Sequence, residues 1–297
     1  MRNSGIGGQA VMEGVMMKNS SKYAVAVRKP DNEIEVQVFE DKITVDKVQK
    51  IPIIRGVFNF VSSLVLGMKS LTFSASFVED EEEEKLTEKQ EKAVMTGTVI
   101  VSMLMAVGIF MVIPYLISLL FGRWITSVTL LSLIEGVTRL LVFFTYIILI
   151  SRLKDIQRVF MYHGAEHKCI NCIENGLELT VENVRNSSRL HKRCGTSFLL
   201  IVMFVSVVFF IFIRVESPIL RLLVRLVLIP VIAGVSYEFI KLAGRSENKL
   251  VEVLSKPGLM LQKMTTIEPE DDMIEVGIAS VEAVFDWKKF QAEDLKE

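Results

Sequence analysis

Residues 93–122 read AVMTGTVIVSMLMAVGIFMVIPYLISLLFG, and these thirty residues lie between Lys92 and Arg123 without Asp, Glu, Lys, Arg or His. Residues 195–213 form a second run that lacks those five residue types. Uninterrupted apolar runs of about 18 residues or more are typical of helices that span a membrane. The sequence therefore excludes a purely soluble protein, a secreted disulfide scaffold and a disordered chain.

Four transmembrane helices are predicted within a mainly α fold. They cover residues 94–120, 129–150, 195–213 and 222–240. The second contains Glu135 and Arg139, which are four residues apart and therefore share a helix face. Either this pair faces the interior of the bundle, as intramembrane charges usually do, or both side chains lie at the outer interface.

The distribution of basic residues predicts the orientation. Segments 1–92, 151–194 and 241–297 together contain 29 of the 34 Lys and Arg residues. Because basic residues favour the cytoplasmic side, we expect a multi-pass protein of the cytoplasmic (inner) membrane with both termini cytosolic. The first residues contain no apolar signal-peptide core, so no cleaved targeting segment is expected. The formal net charge of −1 indicates no specific binding of nucleic acid, and the lipid bilayer is the expected partner.

A small cytosolic α+β portion is predicted from both termini. A glycine-rich block at 7–17 is interpreted as a loop that either packs tightly against the membrane core or binds an anion through its backbone amides. Strands at 23–27 and 34–38 flank a turn signal. Residues 273–278 predict a strand and residues 281–295 a closing helix. The predicted segments are 1–50 (glycine-rich loop and β-hairpin), 51–76 (amphipathic membrane-surface helix), 77–92 (acidic linker with six acids at 79–84), 93–150 (transmembrane helices 1–2), 151–194 (cytosolic His/Cys loop), 195–240 (transmembrane helices 3–4) and 241–297 (cytosolic C-terminal segment).

All three histidines and all three cysteines fall between residues 163 and 194, at the predicted cytosolic membrane face. His163, Glu166 and His167 follow the order H-x-x-E-H of inverted zincins. On a helix the two imidazoles project from one face and can hold one divalent metal, with zinc expected. Glu166 is then the candidate catalytic residue, acting on water at the metal, which predicts a hydrolytic centre.

A third metal ligand is needed, and the sequence leaves three candidates open. His191 and Cys194 stand directly before the third span, and Glu238 lies at the predicted cytoplasmic end of the fourth. The alternative for Glu238 is an interfacial ion pair with Lys241 or Arg245.

Two other interpretations of the His/Cys window also stay open. In the first, Cys169, Cys172, His191 and Cys194 close a structural zinc site that has no open position for catalysis. In the second, the histidines cap helices and the cysteines pack in the core without any metal.

Five longer blocks resemble the bacterial YqhQ family, a membrane family of unknown function described as predicted metal-dependent enzymes. The blocks are residues 7–17, 162–168, 191–198, 229–238 and 257–269. The resemblance implies functional positions at Glu13, His163, Glu166, His167, His191, Cys194, Glu238 and Glu268. Lys168, within the second block, is a further candidate functional residue. Cys169 departs from the family pattern, in which Thr commonly follows His-Lys, and this weakens the four-ligand zinc site.

Three functions remain as hypotheses, and whether the protein is an enzyme is left open. The first is a membrane protein with a cytosol-facing His/Glu/Cys metal centre and hydrolytic chemistry. The second is a non-enzymatic accessory partner of membrane machinery such as the protein translocation or insertion apparatus, with a membrane-protein partner or a homo-oligomer. The third is a small transporter component, in which Glu135, Arg139, Arg225 and Glu238 line a polar path.

Overall fold

The computed structural model describes residues 3–41, 46–77, 87–213, 215, 217–244 and 248–294. A four-stranded antiparallel sheet near the amino terminus is followed by helices, so the prediction of a mainly α membrane protein is confirmed. Five helical stretches among the described residues are long and apolar enough to cross a membrane, and they are Ile54–Ala75, Ala93–Phe121, Val128–Ile150, Gly195–Phe212 and Ile219–Ala243.

The sheet is a meander of four consecutive strands. Its members are β1 (Gly7–Val11), β2 (Gly14–Asn19), β3 (Lys22–Arg28) and β4 (Ile34–Glu40), paired in that order. The predicted strands at 23–27 and 34–38 are confirmed, whereas the loop predicted at 7–17 is wrong because this block forms β1 and β2. Gly14 is required where β2 meets β3, since a Cβ there would lie 2.3 Å from the carbonyl oxygen of Ala26.

The described helices follow the sheet in chain order. They are α1 (Asp46–Gln49), α2 (Ile54–Ala75), α3 (Glu88–Val107), α4 (Ile113–Phe121), α5 (Val128–Ile150), α6 (Lys154–Glu174), α7 (Val181–Asn186), α8 (Gly195–Phe212), α9 (Pro218–Ala243), α10 (Lys249–Thr265), α11 (Asp271–Val284) and α12 (Trp287–Asp294). A π-helical turn at Gly108–Val112 joins α3 to α4. The uncharged run at 93–122 is therefore helical almost throughout.

The sheet lies between two helical layers. Met17 on one face packs with Ile170 of α6 and Ile274 of α11. Val11 and Leu66 belong to the cluster on the other face, where α2 packs. Side chains on neighbouring strand positions point to opposite faces, so both faces of β2 and β3 are buried. The amino-terminal sheet and the carboxy-terminal α11 thereby share one core with α6.

Glu135 and Arg139 are buried in the helical bundle, which decides between the two predicted placements. Oε1 of Glu135 accepts hydrogen bonds from Arg139 at 2.8 Å and from Arg225 of α9 at 2.6 Å. Arg139 also donates to the hydroxyl of Ser206 on α8 and to the carbonyl of Phe110 in the π-helical turn. This network connects four helical segments, as expected for charges that pair within a bundle.

The predicted strand at 273–278 is wrong, because these residues lie in α11. Met273, Val276, Gly277 and Ser280 are all buried at helical spacing, and acidic residues occupy the first turn of the helix. The short segment Met-Ile-Glu-Val-Gly-Ile is compatible with either periodicity, and only the longer helical pattern around it separates the two. The predicted closing helix is interrupted at 285–286, between α11 and α12, and the acidic run at 79–84 lies outside the described residues.

Candidate metal centre

The histidines of α6 lie on the helix face that meets the start of α8. His163 and His167 are one helical turn apart, with ring centroids separated by 4.4 Å. The Sγ of Cys194 lies 3.2 Å from Nε2 of His163. One ligand atom from each of the three residues lies within 4.8 Å of the other two. The structure thus brings together three of the residues that the sequence predicted as ligands.

A backbone carbonyl orients each of the two imidazoles. Nδ1 of His163 lies 2.8 Å from the carbonyl oxygen of Thr265, and Nδ1 of His167 lies 2.6 Å from that of Arg189. A carbonyl oxygen only accepts hydrogen bonds, so both Nδ1 atoms carry a proton, and in the neutral imidazoles both Nε2 atoms present a lone pair. Histidines that ligate metals are commonly held in this way through their other nitrogen. The two Nε2 atoms are therefore prepared to bind a cation.

Cys194 is fixed at the amino terminus of α8. It is the N-cap residue of this helix, and its sulfur accepts a hydrogen bond from the backbone N–H of Thr196 at 3.4 Å. The hydroxyl of Thr196 also lies 3.1 Å from the sulfur. The residue is buried, so the thiol is presented to the histidines rather than to solvent.

Glu166 is buried beside the cluster. Its Oε2 lies 3.4 Å from Nε2 of His167. Gly8 of β1 covers the carboxylate and donates its N–H to it. Burial raises the pKa of Glu166, while the neighbouring His163 and His191 and the Gly8 hydrogen bond oppose this shift. The carboxyl group thus borders the space between the histidines and the cysteine.

His191 is a neighbour of the three-residue cluster and is engaged elsewhere. Its Nε2 lies 3.7 Å from Oε2 of Glu174, and its backbone is held on both sides by the side-chain amide of Gln262. Its ring centroid is 5.6 Å from that of His167. Burial lowers the pKa of His191, and the contact with Glu174 opposes this shift.

Glu174 is a site residue that the sequence analysis missed. Burial alone would raise its pKa, but hydrogen bonds from His191, Arg193 and the backbone of Ser4 outweigh burial and lower the pKa to about 2. Seven residues separate Glu174 from His167, which places both on one face of α6. That spacing was the available signal.

Glu238 binds Arg55, a partner that the sequence analysis did not identify. Oε1 accepts a hydrogen bond from Nε of Arg55 at 2.6 Å, and Oε2 accepts one from Nη2. The backbone N–H of Ile53 lies 3.3 Å from the same carboxylate. Its carboxylate therefore connects α9 to the start of α2, and the metal-capable group among the described residues does not include it.

The three other predicted functional residues all form ion pairs. Glu13 forms a bidentate ion pair with Arg158, whose Nε and Nη2 each donate to one carboxylate oxygen. Lys168 lies 2.8 Å from Glu268, which also contacts Arg189 at 3.2 Å. Arg189 provides the carbonyl that orients His167, so Glu268 supports the cluster indirectly.

Cys169 and Cys172 lie in the apolar core. Cys169 packs against Gly277 of α11, and burial raises the pKa of its thiol. Cys172 directs its sulfur toward the carbonyls of Leu177 and Glu178. Across the described ranges, the metal-capable group contains neither cysteine. The four-ligand structural site is therefore not assembled among the described residues. Cys194 groups with His163 and His167 instead of with Cys169 and Cys172.

The donor set fits a cation of the zinc type. Zinc prefers nitrogen and sulfur ligands in tetrahedral geometry, at about 2.0–2.3 Å. Such bond lengths place a nitrogen and a sulfur ligand about 3.5 Å apart, close to the 3.2 Å between His163 and Cys194. Three protein ligands leave a fourth position open, and this is the pattern of catalytic rather than structural zinc sites.

Comparison with known proteins identifies the family. A family model described as "Protein of unknown function (DUF1385)" matches residues 51–287. The chain belongs to this family. It is also 36% identical over 286 residues to the uncharacterized protein YqhQ of Bacillus subtilis (strain 168), covering 92% of this chain and 90% of that protein. No solved structure matches the chain. The resemblance to the YqhQ family is confirmed.

Proposed function

We propose that this multi-pass membrane protein binds one zinc-type cation through His163, His167 and Cys194, and that it uses the site for hydrolysis at the cytosolic membrane face. The observation that carries the proposal is the convergence of the two oriented imidazoles with Cys194. Both Nδ1–H groups are bound to backbone carbonyls, which leaves the Nε2 atoms as the ligand positions, and that of His163 lies 3.2 Å from the Cys194 sulfur. Buried imidazole N–H groups need such partners in any core, and the feature that favours a cation is the convergence of His163, His167 and Cys194 within 4.8 Å of one another.

The catalytic part of the proposal concerns Glu166. A cation bound by the three ligands would supply Lewis acidity at its open position. The Glu166 carboxylate lies 3.4 Å from Nε2 of His167, close enough to the three ligands to act as a general base toward a water molecule if a cation were bound. Its other neighbour, Gly8, holds the carboxylate in place through a backbone hydrogen bond.

Metal content tests the binding part. The full-length protein, purified in detergent and analysed for elements, is expected to hold about one zinc per chain. His163→Ala, His167→Ala and Cys194→Ser should each lose it, because three ligands leave little redundancy. His191→Ala and Cys172→Ser are matched controls from the same window and should retain the metal. Zinc that persists in the first three variants, or is absent from the folded wild type, contradicts the proposal.

Cobalt gives a second readout that does not depend on activity. A Co²⁺-loaded wild-type protein should show a thiolate-to-metal charge-transfer band in the near ultraviolet, and Cys194→Ser should lose this band. The Cys169→Ala variant should keep it, since Cys169 lies in the core. An unchanged band in Cys194→Ser would exclude this residue as a ligand.

Hydrolysis is tested with 4-nitrophenyl acetate as the probe. Glu166→Gln should keep the metal but lower the zinc-dependent rate by a factor of about 10² or more, the usual contribution of a general base. Equal rates in Glu166→Gln and wild type would reject hydrolysis through Glu166 while leaving the metal site intact.

A further inference from the structure

The helix α10 lies at the level where the spanning helices end. Its Leu261 is 1% exposed and packs with Phe143 and Ile147 of α5 and Leu200 of α8. Phe143 lies seven residues before the end of α5, which corresponds to about 10 Å at the helical rise per residue. Interfacial helices insert to about this depth, so the buried face of α10 reaches just below the ends of the spans.

The opposite face of α10 combines lysines with exposed apolar side chains. Lys249, Lys256 and Lys263 are exposed and seven residues apart, which puts them on one helix face. Val253 and Met260 lie beside this row and are 55% and 66% exposed. Interfacial helices combine basic residues that contact lipid headgroups with apolar side chains that enter the bilayer, and here the two groups lie side by side.

The charge on this face is unbalanced within the described part of the chain. None of the ion pairs found there involves Lys249, Lys256 or Lys263, and Glu252 is the acidic residue on the same half of the helix. The apolar surface continues into a narrow cleft lined by Leu254 and by Phe204 of α8. The lysine row therefore lies beside a surface that is continuous with the spanning helices.

We propose that α10 is an interfacial helix that binds anionic lipid headgroups through Lys249, Lys256 and Lys263 while Val253 and Met260 enter the bilayer. The helix also supplies the Thr265 carbonyl that orients His163 and the Gln262 amide that holds His191. Lipid binding thus sets the position of the helix that supports these two histidines. The proposal does not depend on a bound metal.

The first experiment measures the depth of Met260. A fluorescent label on Met260→Cys, in full-length protein reconstituted into phosphatidylcholine–phosphatidylglycerol nanodiscs, should be quenched by lipids spin-labelled on the acyl chain. Val38→Cys is the matched control, since Val38 is 48% exposed on β4, and its label should not be quenched. The wild-type chain, whose three cysteines are buried, gives the labelling background.

Two outcomes overturn the proposal that Val253 and Met260 enter the bilayer. A Met260 label that is accessible to water-soluble quencher and insensitive to the lipid quencher places α10 away from the bilayer. A label shielded from both quenchers shows that a protein partner or a second copy covers this face instead.

The second experiment measures lipid selectivity. The Lys249→Gln/Lys256→Gln/Lys263→Gln variant, purified from mixed lipid, should lose affinity for phosphatidylglycerol about fivefold per lysine, from about 1 kcal/mol for each basic residue near an anionic surface. Lys22→Gln/Lys288→Gln/Lys289→Gln removes the same charge elsewhere and should retain the lipid, as measured by mass spectrometry. Equal retention by the two variants overturns the proposal.

Discussion

At Gly8, strand β1 packs against Glu166 without room for a side chain. A Cβ at this position would lie 2.6 Å from Cγ of Glu166 and 2.8 Å from the carbonyl oxygen of Met16. The second of these atoms belongs to the backbone of the paired strand, so it cannot move away without disturbing the sheet. A residue with any side chain therefore separates β1 from either β2 or Glu166.

Replacing Gly8 should affect stability, whereas replacing its neighbour should not. Gly8→Ala is expected to destabilise the protein by about 1–3 kcal/mol, the usual cost of overpacking a filled site. Gly7→Ala is the matched control, because a Cβ at Gly7 meets no atom within 4 Å. Thermal unfolding in detergent measures both variants. Equal melting temperatures would show that β1 shifts freely over Glu166.

The carboxylate of Glu174 makes stability depend on pH. Its pKa is about 2 in the folded protein, against an ordinary value of 4.5, so the unfolded chain binds more protons between these values. Stability should therefore be complete above about pH 4.5 and fall as the pH drops toward 2, by about 3 kcal/mol in total from this group. Denaturant titrations between pH 3 and 6 check the slope.

The variant Glu174→Gln isolates this contribution. It should be less stable at neutral pH, because Arg193 and His191 lose their charged partner, and its stability should fall less steeply on acidification. Parallel pH curves for the variant and the wild type would assign the acid sensitivity to other carboxylates.

At the level of elements, α2 is tied to α9 by a close backbone approach. A Cβ at Gly56 would lie 2.8 Å from the carbonyl oxygen and 2.9 Å from Cα of Gly234. The adjacent Arg55–Glu238 ion pair and a hydrogen bond from Asn59 to Tyr237 extend the contact. This explains why Glu238 is engaged by α2.

Substitution at this crossing should separate the two helices. Gly56→Ala is expected to cost about 1–3 kcal/mol, because its new methyl group meets backbone rather than a flexible side chain. Gly97→Ala in α3 meets nothing within 4 Å and serves as control. Melting temperatures in detergent, compared for the two variants, give the test. A Gly56→Ala protein as stable as Gly97→Ala would argue against the close crossing.

For the whole molecule, the shared core limits how often the chain can cross the membrane. The sheet before α2 packs on α6 and α11, which follow two and four of the four most apolar candidate spans. If α3–α4, α5, α8 and α9 each cross once, α2 must begin and end on the same side. This supports the proposal that α2 is a surface helix, although its length and composition alone would allow a span.

Accessibility labelling tests this topology. In intact cells, a membrane-impermeant maleimide should label Trp124→Cys, in the loop between α4 and α5, where the side chain is 76% exposed. Val38→Cys on the sheet and Leu177→Cys after α6 should react only after the cells are opened. Labelling of Val38→Cys from outside while Leu177→Cys stays protected would contradict the shared core and mean that α2 crosses the membrane, whereas outside labelling of both, with Trp124→Cys protected, would mean the opposite orientation. The predictions of a translocation-machinery partner and of a transporter component stay untested by the structure.

The sequence by itself determined the four most apolar candidate spans and the shared helix face of His163 and His167. Long runs without charge are stable only in the bilayer or in a protein core. Two residues that are four positions apart on a helix lie on the same face. Tertiary structure alone decided which residue joined the histidines, because Cys194 lies 27 residues beyond His167 and chain separation carries no information about distance. Tertiary structure also decided that Glu238 pairs with Arg55 and that residues 273–278 are helical. The partner of a charge, and the conformation of a short and largely apolar segment, both depend on which elements pack beside them.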